Sequence, residues 1–172
     1  MITVISSTNR LNSNTLKVAR EYVKILQSNS VKCQLLDFCE LPKGFLFDEC
    51  FGNRTAEFDH LVKQNIDEVG KFIFVMPEYN GSFPGILKGF IDAVPPRSFS
   101  FKKAALVGVS TGHAGNARGI DSFTNVLNYL KVSVYFDKPK LSSIDKIIDA
   151  SGNLNEFTQE RLKNQVAGFL SF

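Results

Sequence analysis

The chain has 172 residues, a net charge of +3, 44% apolar and 22% charged residues, which suits one globular domain over residues 1–172 and leaves no room for two of ordinary size. Lys and Arg are scattered rather than clustered, so no nucleic-acid footprint is visible, and no apolar run approaches the roughly 18 residues of a membrane helix. Cys33, Cys39 and Cys50 lack metal-ligand spacing and fit a reducing compartment; with no basic and apolar leader ahead of MITVIS, a cytoplasmic location is expected.

Strand and helix signals alternate along the chain. ITVIS (2–6) is a short β-branched apolar run and predicts a strand. From about Asn14, Leu16, Ala19, Val23 and Leu26 recur at three- and four-residue steps, which predicts a helix. VKCQLLDF (31–38) reads as the second strand, and 39–55, with Pro42 and two glycines, as an irregular loop. A helix over about 56–68 would present Phe58, Leu61, Val62 and Ile66 on one face. KFIFVMP (71–77) is the third strand, followed by a helix at about 84–94. KKAALVGVS (102–110) is the fourth strand, followed by a turn-rich loop and a helix at about 117–130. KVSVYF (131–136) reads as the fifth strand; the segment after Pro139 has no clear period, and a last helix is expected over about 155–170.

Successive strand–helix units argue for a parallel sheet with helices on both faces. The third and fourth strands are apolar on both sides of the pleat, as central strands covered twice must be. Right-handed crossovers then favour a doubly wound five-stranded order, 2-1-3-4-5. In such sheets ligands bind beyond the carboxyl ends of the strands, near the switch between strands one and three. The chemistry is therefore expected in the loops after strands one, three and four.

Those loops are unusual in composition. SSTNRLNSNT (6–15) gathers Thr8, Arg10, Ser13, Asn14 and Thr15 ahead of a helix N-terminus, whose free N–H groups attract anions. It suits a terminal phosphate, although Ser13 or Asn14 would also serve as a plain helix cap. The Gly patterns of dinucleotide and nucleoside-triphosphate loops are absent. In the second loop, Pro77 fixes the turn, Glu78 adds a carboxylate, Tyr79 a ring and Asn80 an amide. Gly81 admits a close approach to its backbone. Together they would line one edge of a flat heterocycle, and Pro84 would open the following helix. The third loop, Ser110, Thr111, Gly112, His113, offers short donors to a polar rim; His113 is a candidate acid, although a lone loop histidine is more often a solvated side chain.

Residues 77–88, PEYNGSFPGILK, resemble the signature of the NADPH-dependent FMN reductase family of the flavodoxin-like superfamily. Thr8-x-Arg10-x-x-Ser13-x-Thr15 is similar to its phosphate loop, and Ser110-x-Gly112 with Gly115 to its third flavin-contacting loop. The first loop departs from the family in opening on Ser7-Thr8 and in carrying Thr15 one residue after Asn14.

The resemblance implies FMN held without a covalent bond. Thr8, Arg10, Ser13 and either Asn14 or Thr15 would sit at its phosphate, Pro77 to Gly81 along the ring, and Ser110, Thr111 and Gly112 at its pyrimidine side. It implies hydride transfer from NADPH or NADH to flavin N5 and on to a flavin, quinone, azo dye or other small oxidant. No side-chain acid or base is required, because a flavin carries the redox chemistry itself. It further implies a homodimer or homotetramer, with the helix bearing Phe90 and Ile91 as a contact, and leaves Arg97, Lys102 and Lys103 as candidates for a 2′-phosphate. The alternatives are a flavodoxin-like electron carrier, for which a charge of +3 is the wrong sign against basic partners, and a flavin-bound sensor without appreciable turnover.

Overall fold

The computed structural model describes all residues, 1–172. The sheet follows the order β2-β1-β3-β4-β5, with every pairing parallel. Its strands are β1 (Ile2–Ser6), β2 (Cys33–Asp37), β3 (Lys71–Pro77), β4 (Lys103–Val109) and β5 (Ser133–Val134), with a further short strand, β6 (Lys140–Leu141). Helices α1 (Asn14–Ser28), α2 (Phe45–Asp48), α3 (Ala56–Val62), α4 (Gly85–Ala93), α5 (Ala117–Tyr129), α6 (Ile144–Ile147) and α7 (Glu156–Ser171) connect or follow them. The expected flavodoxin-like α/β class and order are the ones observed.

The pleat of β3 divides the core in two. Phe72, Phe74 and Met76 face α3, α4 and α5 and join one cluster. Ile73 and Val75 face α1 and α7 and join the other. All five are fully buried, which is why no polar alternation marks this strand. Most of the Phe-rich character goes into the first cluster, where Phe38, Phe45, Phe58 and Phe90 form a set of tilted and edge-on ring pairs. Phe90 is wholly buried and Ile91 nearly so: their apolar surface is spent inside the domain, and any contact of this helix with a partner subunit would fall to its other residues.

Three further expectations shift. The buried stripe of α1 is Val18, Ala19, Tyr22, Ile25 and Leu26, while Leu16 and Val23 lie at its margins. The displacement follows Tyr22, whose hydroxyl donates to Gln165 Oε1 at 2.5 Å. Gln165 in turn donates to the carbonyls of Leu106 and Asp137, and this polar chain ties α1 and α7 to the sheet. The loop 39–55 contains α2, pinned by buried Phe45. The fifth strand is split: β5 pairs with the start of β4 and β6 with its end, at Gly108 and Val109. Between them Pro139 has no N–H to give to a ladder, while its carbonyl accepts the Gly108 N–H at 2.9 Å. No helix is long and apolar enough to cross a membrane.

Candidate flavin site at the carboxyl edge of the sheet

The loops after β1, β3 and β4 meet at one edge, around a cleft of about 290 Å³. Arg10, Ser13, Asn14, Thr15, Pro77, Glu78, Tyr79, Ser110 and Thr111 of the expected set line it, joined by Ile144 and Asp145 of α6. Thr8, Asn80, Gly81 and Gly112 stand behind or beside that lining. The topology brings these residues together because β1, β3 and β4 are adjacent and parallel, so all three chains leave the sheet in the same direction.

The first loop divides its hydroxyls between structure and cleft. Ser7 Oγ donates to the Val75 carbonyl at 2.7 Å and Thr8 Oγ1 shares a 2.7 Å hydrogen bond with the Tyr79 hydroxyl, joining the first loop to the second. Ser13 caps α1, its Oγ accepting the Leu16 N–H. The amide of Asn14 is also engaged, donating to Asp145 Oδ1 at 2.9 Å and accepting from Lys17 Nζ at 3.1 Å. Thr15 is different: its hydroxyl makes no hydrogen bond within the protein, and it lines the cleft. The N–H groups of Asn14 and Thr15 lie in the first turn of α1, where no helical partner exists. Arg10 is exposed, lines the cleft and forms no ion pair. One cation, one free hydroxyl and two free N–H groups at a helix N-terminus make an anion site.

The second loop is a tight reversal. Tyr79 and Ser82 exchange N–H to carbonyl bonds at 2.9 and 3.1 Å, and the two residues between them, Asn80 and Gly81, have φ of 52° and 76°. Two successive left-handed residues make a mirror-image hairpin turn, for which Asn-Gly is the favoured pair. Pro84 does not enter the helix as expected; it stands just before α4, which starts at Gly85. A Cβ at residue 81 would find only Arg118 Nη1, at 3.8 Å, so backbone conformation is the reason for this glycine. Gly81→Val is expected to cost about 1–2 kcal/mol of stability through its left-handed φ, and to weaken flavin binding as the turn distorts. Denaturant unfolding and a flavin titration measure the two effects; a full flavin spectrum in the variant would remove this turn from the site.

The third loop is held from within. Ser110 Oγ donates to the Gly112 carbonyl and accepts the Gly115 N–H, both at 3.0 Å, so its hydroxyl is not available to a ligand. Backbone bonds from Ser110 and to Gly112 tie the loop to Leu141 and Ser143. The N–H groups of Thr111, Gly112 and His113 make no internal bond, and a Cβ at Gly112 would meet nothing within 4 Å, so this stretch is open to an incoming ring edge. His113 is exposed and unbonded.

Two residues that sequence reasoning passed over organise the site. Asn116, fully buried with φ of 60°, donates through Nδ2 to the carbonyls of Met76 and Pro77, while its N–H is accepted by Glu78 Oε2 at 3.1 Å. It fastens the third loop to the end of β3 and engages the Glu78 carboxylate. Asp145, on α6, places a negative charge at the cleft. By contrast, Lys102 and Lys103 lie at the amino end of β4, remote from the cleft: Lys102 donates to the carbonyls of Ile66 and Asp67 and Lys103 to that of Phe172. Their expected part in holding a 2′-phosphate is corrected on that ground.

The model of the NADPH-dependent FMN reductase family matches residues 1–142. The chain belongs to that family. A 2-hydroxy-1,4-benzoquinone reductase of Burkholderia sp is 31% identical over 134 residues, 74% of this chain and 73% of that protein. An NAD(P)H-dependent FMN reductase of Pseudomonas aeruginosa is 34% identical over 110 residues, 60% of this chain and 59% of that one. Among solved structures, the flavoenzyme NAD(P)H:(acceptor) oxidoreductase FerB of Paracoccus denitrificans superposes with a TM-score of 0.82 at 24% identity, covering 99% of this chain and 94% of its own, a likeness that shows the shared fold. Family membership makes the protein an oxidoreductase whose cofactors are FMN and a reduced nicotinamide. The donor set fits FMN, because the free groups at the α1 terminus and Arg10 suit a phosphate dianion and the open N–H groups of the third loop suit a heterocycle with carbonyl edges.

Proposed function

We propose that this FMN reductase is a cytoplasmic NAD(P)H:acceptor oxidoreductase, built on one domain over residues 1–172, that reduces quinone-type and related small oxidants as a homodimer or homotetramer. The observation that carries the site assignment is the convergence of unpaired Arg10, free Thr15 and the open α1 terminus with Pro77, Glu78 and Tyr79 of the second loop in one cleft. Bound FMN supplies the two-electron relay between nicotinamide and acceptor. Over the reaction a quinone gains one hydride equivalent from the nicotinamide and one proton from water, leaving hydroquinone and oxidised nicotinamide. The protein's own residues bind and orient. Arg10, the N–H groups of Asn14 and Thr15, and the Thr15 hydroxyl take the phosphate. Thr8 and Tyr79 lock the first two loops together through their shared hydrogen bond. Pro77, Glu78, Asn80 and Gly81 form the wall along the ring, with Asn80 and Gly81 shaping its turn. The N–H groups at Thr111 and Gly112 meet the pyrimidine edge, as fixed dipoles aimed at a site of developing charge. Ser110 acts on the loop, through its bonds to Gly112 and Gly115. Of the Asn14–Thr15 pair, we assign Thr15 to the phosphate, because the amide of Asn14 is held between Asp145 and Lys17.

The direct test is an absorbance spectrum of the purified protein with FMN, repeated after NADPH is added without oxygen. Bound yellow flavin that bleaches and recovers its colour when a quinone is added is expected; colour that persists would overturn the enzymatic reading and favour the carrier. Sedimentation measures the assembly. A second expected result concerns Asp145, whose carboxylate opposes a phosphate at the same cleft. Asp145→Asn should tighten FMN binding by about two- to fivefold, the range for removing one exposed like-charge interaction. A dissociation constant that is unchanged or raised would show that Asp145 helps the site only by holding Asn14.

A further inference from the structure

A second cavity, of about 450 Å³, borders α6 as the flavin cleft does: Ile144 and Asp145 line the cleft and Ile147 lines the cavity. The volume is that of a small-molecule pocket. β6 and the first turns of α7 supply much of its wall. Lys138, Lys140 and Arg161 line it and no carboxylate does, whereas Asp145 stands in the flavin cleft. Arg161 is already satisfied, since both its terminal nitrogens donate to the Asp137 carboxylate. That pairing also occupies the acidic side chain next to Lys138 in the chain. Lys138 is half-buried and Lys140 exposed, and neither forms an ion pair. Two ammonium groups without a counter-charge, in a concave wall, give the cavity a positive potential.

Thr158 and Phe157 narrow what the charge attracts. Thr158 lines the cavity and is only 3% exposed, yet its hydroxyl makes no hydrogen bond within the protein; its N–H donates to Asn155 Oδ1 at 2.9 Å. A helical threonine ordinarily returns its hydroxyl to the carbonyl one turn back, as Thr124 does to Ile120. For Thr158 that carbonyl belongs to Leu154, and Gln159 Nε2 takes it, so the hydroxyl is left to the cavity. Beside it, the N–H groups of Glu156 and Phe157 in the first turn of α7 have no helical partner. Phe157 also lines the cavity and is 83% exposed, an aromatic face with nothing packed on it. We propose that this cavity binds a phosphomonoester carried by an aromatic base, the phosphate between Lys138, Lys140 and the Thr158 hydroxyl, and the base against Phe157. Two sources have this chemistry: a free nucleoside monophosphate and the adenosine 2′-phosphate arm of NADPH. The cavity does not depend on the reductase reading; only the second source rests on it, and would make Lys138 and Lys140 the groups that tell NADPH from NADH. A single helical turn, Ile144–Ile147, then separates that arm from the nicotinamide at the flavin cleft.

Adenosine 2′-phosphate and adenosine 5′-phosphate are the probes, titrated by calorimetry into protein saturated with FMN, so that the flavin's own phosphate site is filled. At least one should bind about tenfold or more tighter than inorganic phosphate and than adenosine. Lys138→Ala and Phe157→Ala, at side chains that make no hydrogen bond within the protein, should each weaken that binding by about five- to tenfold, and added salt should weaken it further. Unchanged affinity in both variants, binding no tighter than that of inorganic phosphate, or binding that disappears once FMN is added would each overturn the proposal, the last by placing the nucleotide in the flavin site. Steady-state kinetics names the source. In Lys138→Ala, a KM raised about fivefold for NADPH and unmoved for NADH assigns the cavity to the 2′-phosphate arm. Unmoved KM values for both, with nucleotide binding lost, assign it to a free nucleotide. Nucleotide binding by a wild-type protein that oxidises neither NADPH nor NADH would sink the reductase reading and leave the cavity to a free nucleotide.

Discussion

Arg10→Ala is expected to weaken FMN binding by about 10- to 150-fold, the consequence of losing one charge-assisted hydrogen bond of about 1.5–3 kcal/mol to a phosphate dianion. The structure sharpens this expectation. Arg10 has no carboxylate partner, so its charge is not already neutralised, and it lines the cleft into which α1 points. The other lining groups available to the phosphate are N–H dipoles and one hydroxyl, and the neighbouring Lys17 ammonium is engaged at Asn14. Stability should barely move, because the side chain is exposed and makes no hydrogen bond within the protein. Arg10→Lys should recover only part of the affinity, since an ammonium cannot offer the planar fork of a guanidinium. Flavin titration of the three proteins measures the effect, and raising the salt should narrow the gap between them. Wild-type affinity in Arg10→Ala would place the phosphate elsewhere.

The outline of this site could be read from the amino-acid string because it depends on local chemistry. The continuous apolar runs at 71–77 and 103–109 declare central strands, and their parallel order forces the loops after β1, β3 and β4 to one edge. Asn80-Gly81 declares a turn with two left-handed residues, which is what forms. What could not be read depends on partners far away in the chain. The role of Asn116 is invisible until β3 and the third loop meet, because its bonds reach back 39 and 40 residues. The engagement of Asn14 by Asp145 spans 131 residues, so periodicity could not separate Asn14 from Thr15. Phe90 and Ile91 look equally suited to a core or an interface in sequence; the ring contacts with Phe38, Phe45 and Phe58 decide for the core. Lys102 and Lys103 look available to a ligand in sequence, because strand polarity, which sets them at the far edge, is a property of the assembled sheet.

Asn116→Ala should be among the most damaging single substitutions outside the hydrophobic core, with a cost of about 2–4 kcal/mol. Two side-chain hydrogen bonds to the Met76 and Pro77 carbonyls disappear, and those carbonyls lose a buried donor, at about 1–3 kcal/mol for each group left unsatisfied. Alanine also tolerates the observed φ of 60° less well than asparagine, adding about 1 kcal/mol. Water entering the vacated space would recover part of this, so the total falls below the simple sum. Asp at the same position keeps the size but turns donors into acceptors facing two carbonyls, and should be worse than Ala. The site should loosen along with the fold. The Asn116 N–H holds the Glu78 carboxylate, and the neighbouring Gly115 N–H reaches Ser110 Oγ, so freeing this corner frees the whole third loop. Flavin affinity should therefore fall in Asn116→Ala even at temperatures where the protein remains folded, whereas Phe90→Ala, a core cavity of similar cost, should lower stability and leave the affinity of the folded fraction near wild type. Chemical denaturation alongside flavin titration separates the two: equal affinity losses in both variants would mean that Asn116 serves the fold in general and not the third loop in particular.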